Sequence, residues 1–548
     1  MTELAGLLLQ ASAGTLAAQA PVLPLLVALS TAILALGTRV YPRAQQSVSL
    51  VGAVAYGAAV LFLAVRVTAE GRLVYQVSDW VAPFGITLVA DALSVLMLGL
   101  SAVVTLAALV YSLEFVDRRD QRLAYHPLFH LMVVGVTGAF LTGDIFNLFV
   151  WFEVMLMSSY VLVVFYSGPE QTRAALLYTV LNLLGSAVML LAIGGLYATT
   201  GTLNMADMAR RLANPAAFGI DPAPVLGLSA VLLTVFALKA GIVPFQFWVP
   251  AAYRAAPAPV TAMLAGVVKK VGIYAIVRLY FMVFAAATVP VSFPGIGGQG
   301  FLAFFGPVLF VMAVGSIFLG GFAAVSQADL DGLLAYSSIG QIGFVVLPLA
   351  VAATIPDLRA LGVAAALVYA VNHGLAKSLL FLVSGAVRSA TGTTQLPKLG
   401  GLSEHDRVLS AAFFVGGLAL VGIPPLTGFF GKLLVFDVAG RAGSTLGLAA
   451  ALGGAILTIA YVTRAWNQAF WGRPTDYVIG ASRNGVLVGV SVVLALSVVA
   501  LGVGFDPLLG AANAAAEAAL DLDGYVEAVD PDRFVPMESA DGHGGGDE

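Results

Sequence analysis

The sequence contains no cysteine, few charged residues and only six lysines among its 548 residues. The absence of cysteine excludes disulfides, thiolate-ligated iron–sulfur clusters, zinc sites of the cysteine type and cysteine nucleophiles. Because the five histidines are scattered along the chain, we expect neither a metal site nor a cofactor. No nucleophile–base pair stands out either, so the sequence does not predict an enzyme with covalent chemistry.

Charged residues make up 10% of the chain and hydrophobic residues 60%, with a mean hydropathy of +0.96. Soluble chains carry roughly 25% charged and 45–50% apolar residues. A chain with so few charges cannot cover its surface with polar groups, so lipid must be its solvent. The composition therefore predicts an all-α polytopic membrane protein.

Runs of apolar residues between polar breaks predict about fourteen transmembrane helices, since one crossing needs about 20 such residues. The predicted spans are 21–38, 47–67, 92–113, 127–143, 145–166, 175–199, 225–248, 258–285, 301–323, 331–352, 360–388, 408–439, 446–471 and 484–508. Residues 1–20 lack the basic region of a cleavable signal. The last residues, 541–548, are rich in glycine and acid and predict disorder.

The loop charges predict an orientation. The connections from odd to even spans hold thirteen lysines and arginines, and the opposite side, tail included, holds seven. We call the former side the basic face. The positive-inside rule places it in the cytoplasm and both termini outside. From Gly510 onward the chain carries a net charge of −9, so the rest carries +5 although the total is −4.

Six basic residues that belong to no connection, together with one glutamate, fall inside predicted spans, where each would cost about 2.5–3.5 kcal/mol if unpaired. They are Glu153, Lys239, Lys269, Lys270, Arg278, Lys377 and Lys432. A desolvated lysine can exchange its proton, whereas arginine remains protonated. Simpler interpretations remain open: Lys269, Arg278 and Lys377 could snorkel to the headgroups, and Glu153 could form a structural ion pair.

His373 lies four residues before Lys377, so the two share a helix face. Histidine is the side chain that changes charge most easily near neutral pH, and this pairing inside a span favours a proton relay. The simpler interpretation of His373 is a buried histidine whose hydrogen bonds are satisfied.

Two spans are interrupted by proline, one between Lys239 and Pro250 and one between Gly422 and Lys432. In lipid such breaks survive only where they are buried in protein or line a wet cavity. They fall in spans seven and twelve, which predicts two inverted five-helix repeats, each with a broken helix; two unrelated kinks are the alternative. The predicted organisation is 1–126 for the first three helices, 127–285 and 301–471 for the repeats, 484–508 for the last helix and 510–548 for an acidic tail.

The chain resembles a known family in the motifs around these charges. The motifs are Trp151-x-Glu153, Gly428-x2-Gly431-Lys432, and Lys239-x4-Pro244-x3-Trp248-x-Pro250-x6-Pro257-x-Pro259-Val260 followed by Lys270-Val271-Gly272-Ile273-Tyr274. Over roughly residues 90–475 they resemble the antiporter-like subunits shared by Mrp-type multisubunit cation/proton antiporters and the proton-pumping arm of complex I. The stretch 142–153 is most similar to the Mrp branch.

The resemblance implies a role for each buried charge. Glu153 would pair with Lys239, and Lys270 rather than Lys269 would bridge two half-channels. His373 and Lys377 would continue the path, which Lys432 would end. Some relatives carry a second histidine where this chain has Tyr369, which suggests a greater dependence on water there.

The resemblance also implies a function: proton translocation in a bacterial plasma membrane antiporter that exchanges protons for Na⁺ or K⁺. The implied partners are Mrp-type subunits of the A, B, C, E, F and G kinds and membrane lipid, with no nucleic acid. The main alternative is a proton-pumping subunit of a complex I or membrane-bound hydrogenase assembly. A stand-alone transporter of an organic substrate and a structural scaffold are further alternatives.

Overall fold

The computed structural model describes residues 18–293 and 296–531 and is built mainly of helices. Its helices are α1 Leu23–Gly37, α2 Pro42–Glu70, α3 Ala92–Phe115, α4 His126–Leu141, α5 Ile145–Val163, α6 Pro169–Thr200, α7 Met205–Ala213, α8 Ala223–Ala240, α9 Trp248–Ala255, α10 Ala258–Ala286, α11 Phe301–Ser326, α12 Leu330–Ala353, α13 Arg359–Thr391, α14 Arg407–Val421, α15 Thr427–Arg441, α16 Thr445–Phe470, α17 Gly485–Val503, α18 Phe505–Leu520 and α19 Leu522–Val529. Single turns lie at Arg118–Asp120, Leu402–His405 and Asp476–Ile479.

Each predicted span overlaps at least one helix, and the span 408–439 overlaps two. In the described part of the chain, eleven helices are long and apolar enough to cross a membrane, and three shorter helices are also apolar. The prediction of an all-α polytopic membrane protein is confirmed. The division into two inverted repeats stays a prediction.

Three predicted spans are wrong in extent because each runs across a helix break. The span 225–248 ends as a helix at Ala240, and 408–439 is divided between α14 and α15, since each proline break interrupts the helix. The last span ends at Val503 rather than at 508, because Gly504 separates α17 from α18. The tail boundary at 510 therefore falls within α18. The segment 541–548 lies outside the described residues.

Two small hairpins also occur in connections, where the sequence predicted only helices and loops. β1 Leu73–Gln76 pairs with β2 Thr87–Ala90, and β3 Pro290–Phe293 pairs with β4 Ile296–Gln299, both antiparallel. Because they lie between helices, they leave the arrangement of the spans unchanged.

Both broken helices end in glycine and have their freed backbone groups satisfied by neighbours. Gly241 ends α8 with a φ of +66°, a conformation that L side chains rarely adopt. The Trp248 indole donates to the Leu238 carbonyl at 2.7 Å, and Ser316 on α11 accepts from the Val243 amide at 2.9 Å. Gly422 ends α14 in the same manner, with a φ of +89°.

Helices α10, α12 and α13 occupy the centre of the bundle and are buried almost along their whole lengths. Peripheral helices such as α2 and α6 instead expose leucine and valine side chains, as expected of surfaces in contact with lipid. Small residues permit the central contacts: a Cβ added to Gly320 on α11 would lie 2.2 Å from the Gly340 amide nitrogen on α12. The central helices are therefore shielded from lipid by protein.

Arg278 does not snorkel, contrary to one of the alternatives left open by the sequence. Its guanidinium lies 2.7 Å from the carboxylate of Asp91, which caps the start of α3, and both side chains are almost fully buried. The Tyr525 ring of α19 covers Arg278 and Arg72, with centroid distances of 5.3 and 5.2 Å. This ion pair joins α10 to α3 beneath the C-terminal helices.

We expect Asp91→Asn to lower stability by about 3–5 kcal/mol, because it leaves Arg278 buried without a counter-charge. The matched control is Asp437→Asn, which removes an exposed pair with Arg441 on one helix turn and should cost about 0.5 kcal/mol or less. The measurement is the thermal unfolding midpoint of the purified protein in detergent. Equal midpoints for the two variants would contradict a stabilising role for the buried pair.

Candidate proton-transfer site

Glu153 and Lys239 lie on neighbouring helices but do not touch. Ser186 on α6 donates a short hydrogen bond to Glu153 Oε1. Lys239 Nζ, in the last turn of α8, hydrogen-bonds to no described residue and lies 5.6 Å from the centroid of the Phe152 ring. The contact implied by the family resemblance is thus absent in this structure, although Glu153 is within electrostatic range of Lys239. Phe152 keeps the lysine next to the turn of α5 that carries Glu153.

The centre of the bundle brings two lysines and a histidine together around one serine. Lys270 Nζ lies 2.7 Å from His373 Nδ1. The other ring nitrogen of His373, Nε2, lies 3.2 Å from Ser338 Oγ. Lys269 Nζ donates to the same hydroxyl oxygen at 3.2 Å and to the Ser338 carbonyl at 3.3 Å. We call Lys269, Lys270, Ser338 and His373 the central cluster, and it joins α10 to α12 and α13.

A wide π-turn over Leu264–Val268 supplies an acceptor for the central cluster. A π-turn interrupts the regular i to i+4 ladder and so leaves carbonyl groups available to other donors. Lys270 Nζ donates to the Ala265 carbonyl in this turn at 2.5 Å. The irregular backbone is buried in protein, as the absence of water from lipid requires.

Lys269 belongs to the cluster as much as Lys270 does. Its side chain is fully buried, so the snorkelling interpretation is wrong. A Cβ added to Gly241 would lie 3.5 Å from Lys269 Nζ, which places this ammonium group beside the break that follows α8. Lys269 therefore lies between the first broken helix and His373, a position that the family resemblance did not suggest.

Lys377 lies one turn after His373 on α13, as their spacing predicted, and is also fully buried. It does not snorkel: Nζ donates to the Leu334 carbonyl at 3.0 Å and, at a shorter distance, to the Ser337 hydroxyl. Its partners are neutral groups on α12.

Beyond the central cluster, polar groups lead toward the second broken helix. Tyr369 donates a short hydrogen bond to Gln341, whose amide donates to Tyr461 at 2.6 Å. Lys432 Nζ donates to the Val421 carbonyl at 3.1 Å, at the C-terminal end of α14. It also lies 4.9 Å from the centroid of the Phe344 ring. The negative end of a helix dipole and an aromatic face both favour a cation there.

Sequence reasoning missed four polar residues that contact the predicted ones. Ser186 donates a hydrogen bond to Glu153, and Gln341 connects Tyr369 to Tyr461. Ser337 contacts Lys377, and Ser338 contacts Lys269 and His373. On α12 the signal was present, because Ser337, Ser338 and Gln341 recur at helical spacing within an apolar span. Ser186 likewise lies four residues after Asn182 in its span, so a similar signal was present there.

The hydrogen bonds of the central cluster define a direction for proton transfer, from Lys270 through His373 to Ser338. A protonated Lys270 donates to His373 Nδ1, so the neutral histidine carries its hydrogen on Nε2 and donates it to Ser338. Transfer of a proton from Lys270 to Nδ1 would let Nε2 release its own proton toward Ser338. The arrangement can thus move a proton between α10 and α12 without a metal or cofactor in the step. The described residues contain no group of three histidine or acidic side chains that could hold a metal ion.

Comparisons with known proteins find relatives that match most of the chain. Residues 142–458 match the family model described as NADH:quinone oxidoreductase/Mrp antiporter, transmembrane. The D-type subunit of the Na⁺/H⁺ antiporter of Alkalihalophilus pseudofirmus is 34% identical over 86% of this chain and 90% of that protein. Its counterpart in Bacillus subtilis is 31% identical over 93% of this chain and 98% of that protein.

A solved structure has the same fold. A chain in the Mrp complex from Dietzia sp. DQ12-45-1b superposes with a TM-score of 0.82 at 27% identity, covering 94% of this chain and 99% of that one. The motif stretch 142–153, the broken helices and the central cluster all lie inside or beside the matched region. The chain belongs to the NADH:quinone oxidoreductase/Mrp antiporter transmembrane family.

Proposed function

We propose that this chain is the proton-translocating subunit of a multisubunit antiporter that exchanges protons for Na⁺ or K⁺ across a bacterial plasma membrane. The observation that carries the proposal is the line of buried lysines from Lys239 to Lys432, joined in the middle by the central cluster. Similarity to antiporter subunits over most of the chain favours this function over a proton pump of a respiratory assembly. The role is that of a transporter subunit rather than an enzyme.

The proposed path has Lys239 and Lys432 at its ends and Lys269, Lys270, His373 and Lys377 between them. In this mechanism the Glu153 carboxylate moves toward or away from Lys239. The lysine binds its proton tightly when the carboxylate is close and releases it when the carboxylate is distant. Two unit charges about 4 Å apart at an effective dielectric near 20 interact by about 4 kcal/mol. That energy corresponds to roughly a thousandfold change in proton affinity. The described geometry, with Glu153 on Ser186 and Lys239 without a hydrogen bond, fits the separated state of this switch.

The basic face is the cytoplasmic side in this proposal, with both termini outside. Partner subunits of the Mrp type provide the path for Na⁺ or K⁺, since the buried residues described above do not form a cage of carboxylates that could bind such a cation. Lipid contacts the apolar surfaces of the peripheral helices.

Loss of the lysine at either end of the proposed path should slow exchange. We expect Lys239→Ala or Lys432→Ala to reduce cation-dependent proton exchange by roughly tenfold or more, a factor that corresponds to about 1.4 kcal/mol of lost interaction. The assay is fluorescence dequenching in everted vesicles that contain the assembled complex. Lys398→Ala is the matched control, because Lys398 is the one lysine outside the predicted spans and is exposed. Exchange at the control rate in both Lys239→Ala and Lys432→Ala would refute the proposed path.

Ser338→Ala should slow exchange by roughly tenfold, because a net hydrogen bond is worth about 1 kcal/mol and the change also removes the hydroxyl that His373 and Lys269 share. The same vesicle assay measures the rate, with immunoblotting for the amount of protein. Ser326→Ala, at an exposed position on α11, controls for the substitution itself. An unchanged rate for Ser338→Ala would mean that protons do not pass between the two lysines through this serine.

Isolation of the native complex tests the choice between antiporter and pump. We expect mild-detergent purification of the tagged chain to recover small membrane subunits, identified by mass spectrometry, without flavin or iron–sulfur proteins. The chain supplies no cysteine to ligate such clusters. Recovery of stoichiometric flavin or iron–sulfur subunits would instead assign the chain to a respiratory pump.

A further inference from the structure

A polar seam connects the basic face to the central cluster between α12 and α13. At its outer end Asp331, near the start of α12, accepts hydrogen bonds from Ser384 at 2.6 Å and Thr394 at 3.1 Å. Arg388, whose side chain is 42% exposed, forms a short ion pair with the same carboxylate. Asp331 itself is almost buried, so the seam begins at the aqueous surface and leads inward.

A small cavity lies directly inside Asp331. Its volume is about 10 Å³, and its lining includes Asp331, Tyr253, Thr261 and Phe381. That volume corresponds to about one water molecule, which needs two to four polar partners. The polar lining meets this requirement and distinguishes the cavity from a dry packing defect.

The Tyr253 hydroxyl is the unusual group in this lining. The side chain is 2% exposed, and its oxygen has no hydrogen-bond partner among the described residues. A buried polar group without a partner costs about 1–3 kcal/mol. A water molecule in the cavity would provide the missing partner. One water would therefore account for both the cavity and the unpaired Tyr253 hydroxyl.

The Asp331 carboxylate has a free acceptor position for the same water molecule. An ionised carboxylate offers about four lone-pair positions, and Ser384, Thr394 and Arg388 occupy three of them. The Thr261 hydroxyl is committed as a donor to backbone carbonyls, so its oxygen can still accept a hydrogen bond. The water would therefore have Asp331, Tyr253 and Thr261 as partners.

Tyr253 also faces the central cluster. Its hydroxyl approaches that of Ser338 without forming a hydrogen bond of good geometry. Ser338 in turn contacts His373 and Lys269. One phenol thus separates the water-sized cavity from the groups to which the proton path is assigned.

We propose that Asp331, one water molecule in this cavity and Tyr253 form the proton inlet from the basic face to Ser338. This inference rests on the proposed function, because it supplies protons to the same path. A proton accepted by Asp331 passes to the water, which gives one of its own to the Tyr253 oxygen as the phenol releases its proton to the Ser338 oxygen. Ser338 in turn gives its hydroxyl proton to Lys269 Nζ when that amine is neutral. Each relay group gains one proton and loses one, so no charge remains on the tyrosine and no co-reactant is needed.

Tyr253→Phe separates this role from a structural one. The substitution keeps the ring and removes an oxygen that makes no hydrogen bond in the fold, so a purely structural tyrosine would tolerate it. We expect the maximal rate of exchange to fall by roughly tenfold, less than is typical for loss of a proton-transfer group, because a rearranged water can partly replace the hydroxyl. The apparent KM for Na⁺ should remain unchanged, since cation binding is not affected.

Tyr125→Phe is the matched control. Tyr125 is also fully buried, its hydroxyl approaches Ser112, and it likewise has no described hydrogen-bond partner, but it does not line the cavity. A second comparison uses Asp331→Asn and Asp329→Asn. Asp329 pairs with Arg254 at the same end of α12 but is also absent from the cavity lining. We expect the rate to fall with Asp331→Asn and to remain at the wild-type value with Asp329→Asn.

The outcomes distinguish this inference from the proposed function. If Tyr253→Phe and Asp331→Asn exchange at the wild-type rate while Lys239→Ala is inactive, the inlet is wrong and the proposed function stands. If Lys239→Ala also remains active, the proposed function itself fails. If the two inlet variants lose rate together with protein level or with a raised KM for Na⁺, their role is structural and the inlet is again wrong.

Discussion

Lipid cannot solvate a charge, and the architecture of this chain depends on that constraint. Every basic side chain within a span must be enclosed by protein, so the helices that carry most of them are the most deeply buried ones. Helices α10, α12 and α13 lie inside a ring of helices whose outer surfaces are leucine and valine. The peripheral helices thus separate the central cluster from the hydrocarbon, and glycine contacts such as Gly320 against Gly340 allow them to approach closely.

The same constraint explains why irregular backbone and buried lysines occur together. An ammonium group in a low-dielectric interior needs acceptors, and a carbonyl at a break in the helical ladder can accept from it without competing with a backbone amide. The π-turn in α10 provides the Ala265 carbonyl to Lys270, and the end of α14 provides the Val421 carbonyl to Lys432. Glycine at each break permits the left-handed backbone conformation that ends the helix. At these irregular positions the backbone therefore provides hydrogen-bond acceptors for buried lysine ammonium groups.

Much of this architecture could be predicted from the sequence because lipid enforces simple patterns. Hydropathy located the apolar helices, proline and glycine located both breaks, and the rarity of lysine identified the buried basic residues. The contacts could not be predicted in the same way. The sequence placed Lys269 near a helix end, but the packing of α10 against α12 buries it beside Ser338. It also gave no indication that Asp91, 187 residues away along the chain, would meet Arg278. Such pairings depend on tertiary geometry that no local pattern encodes.

The buried cationic side chains have two kinds of partner. Arg278 faces a carboxylate, and that pair is fixed because removal of either charge would strand the other. The five lysines in spans instead contact carbonyls, hydroxyls, an imidazole or aromatic rings, and within the described residues none of them forms an ion pair. A lysine with neutral partners can lose its proton without leaving a buried negative charge uncompensated. Glu153 accepts a hydrogen bond from Ser186 and does not contact Lys239, but its charge still acts on that lysine. The partners thus distinguish two kinds of buried cation: Arg278 pairs with Asp91 and joins helices, whereas the lysines to which the proposed path assigns proton exchange contact neutral groups.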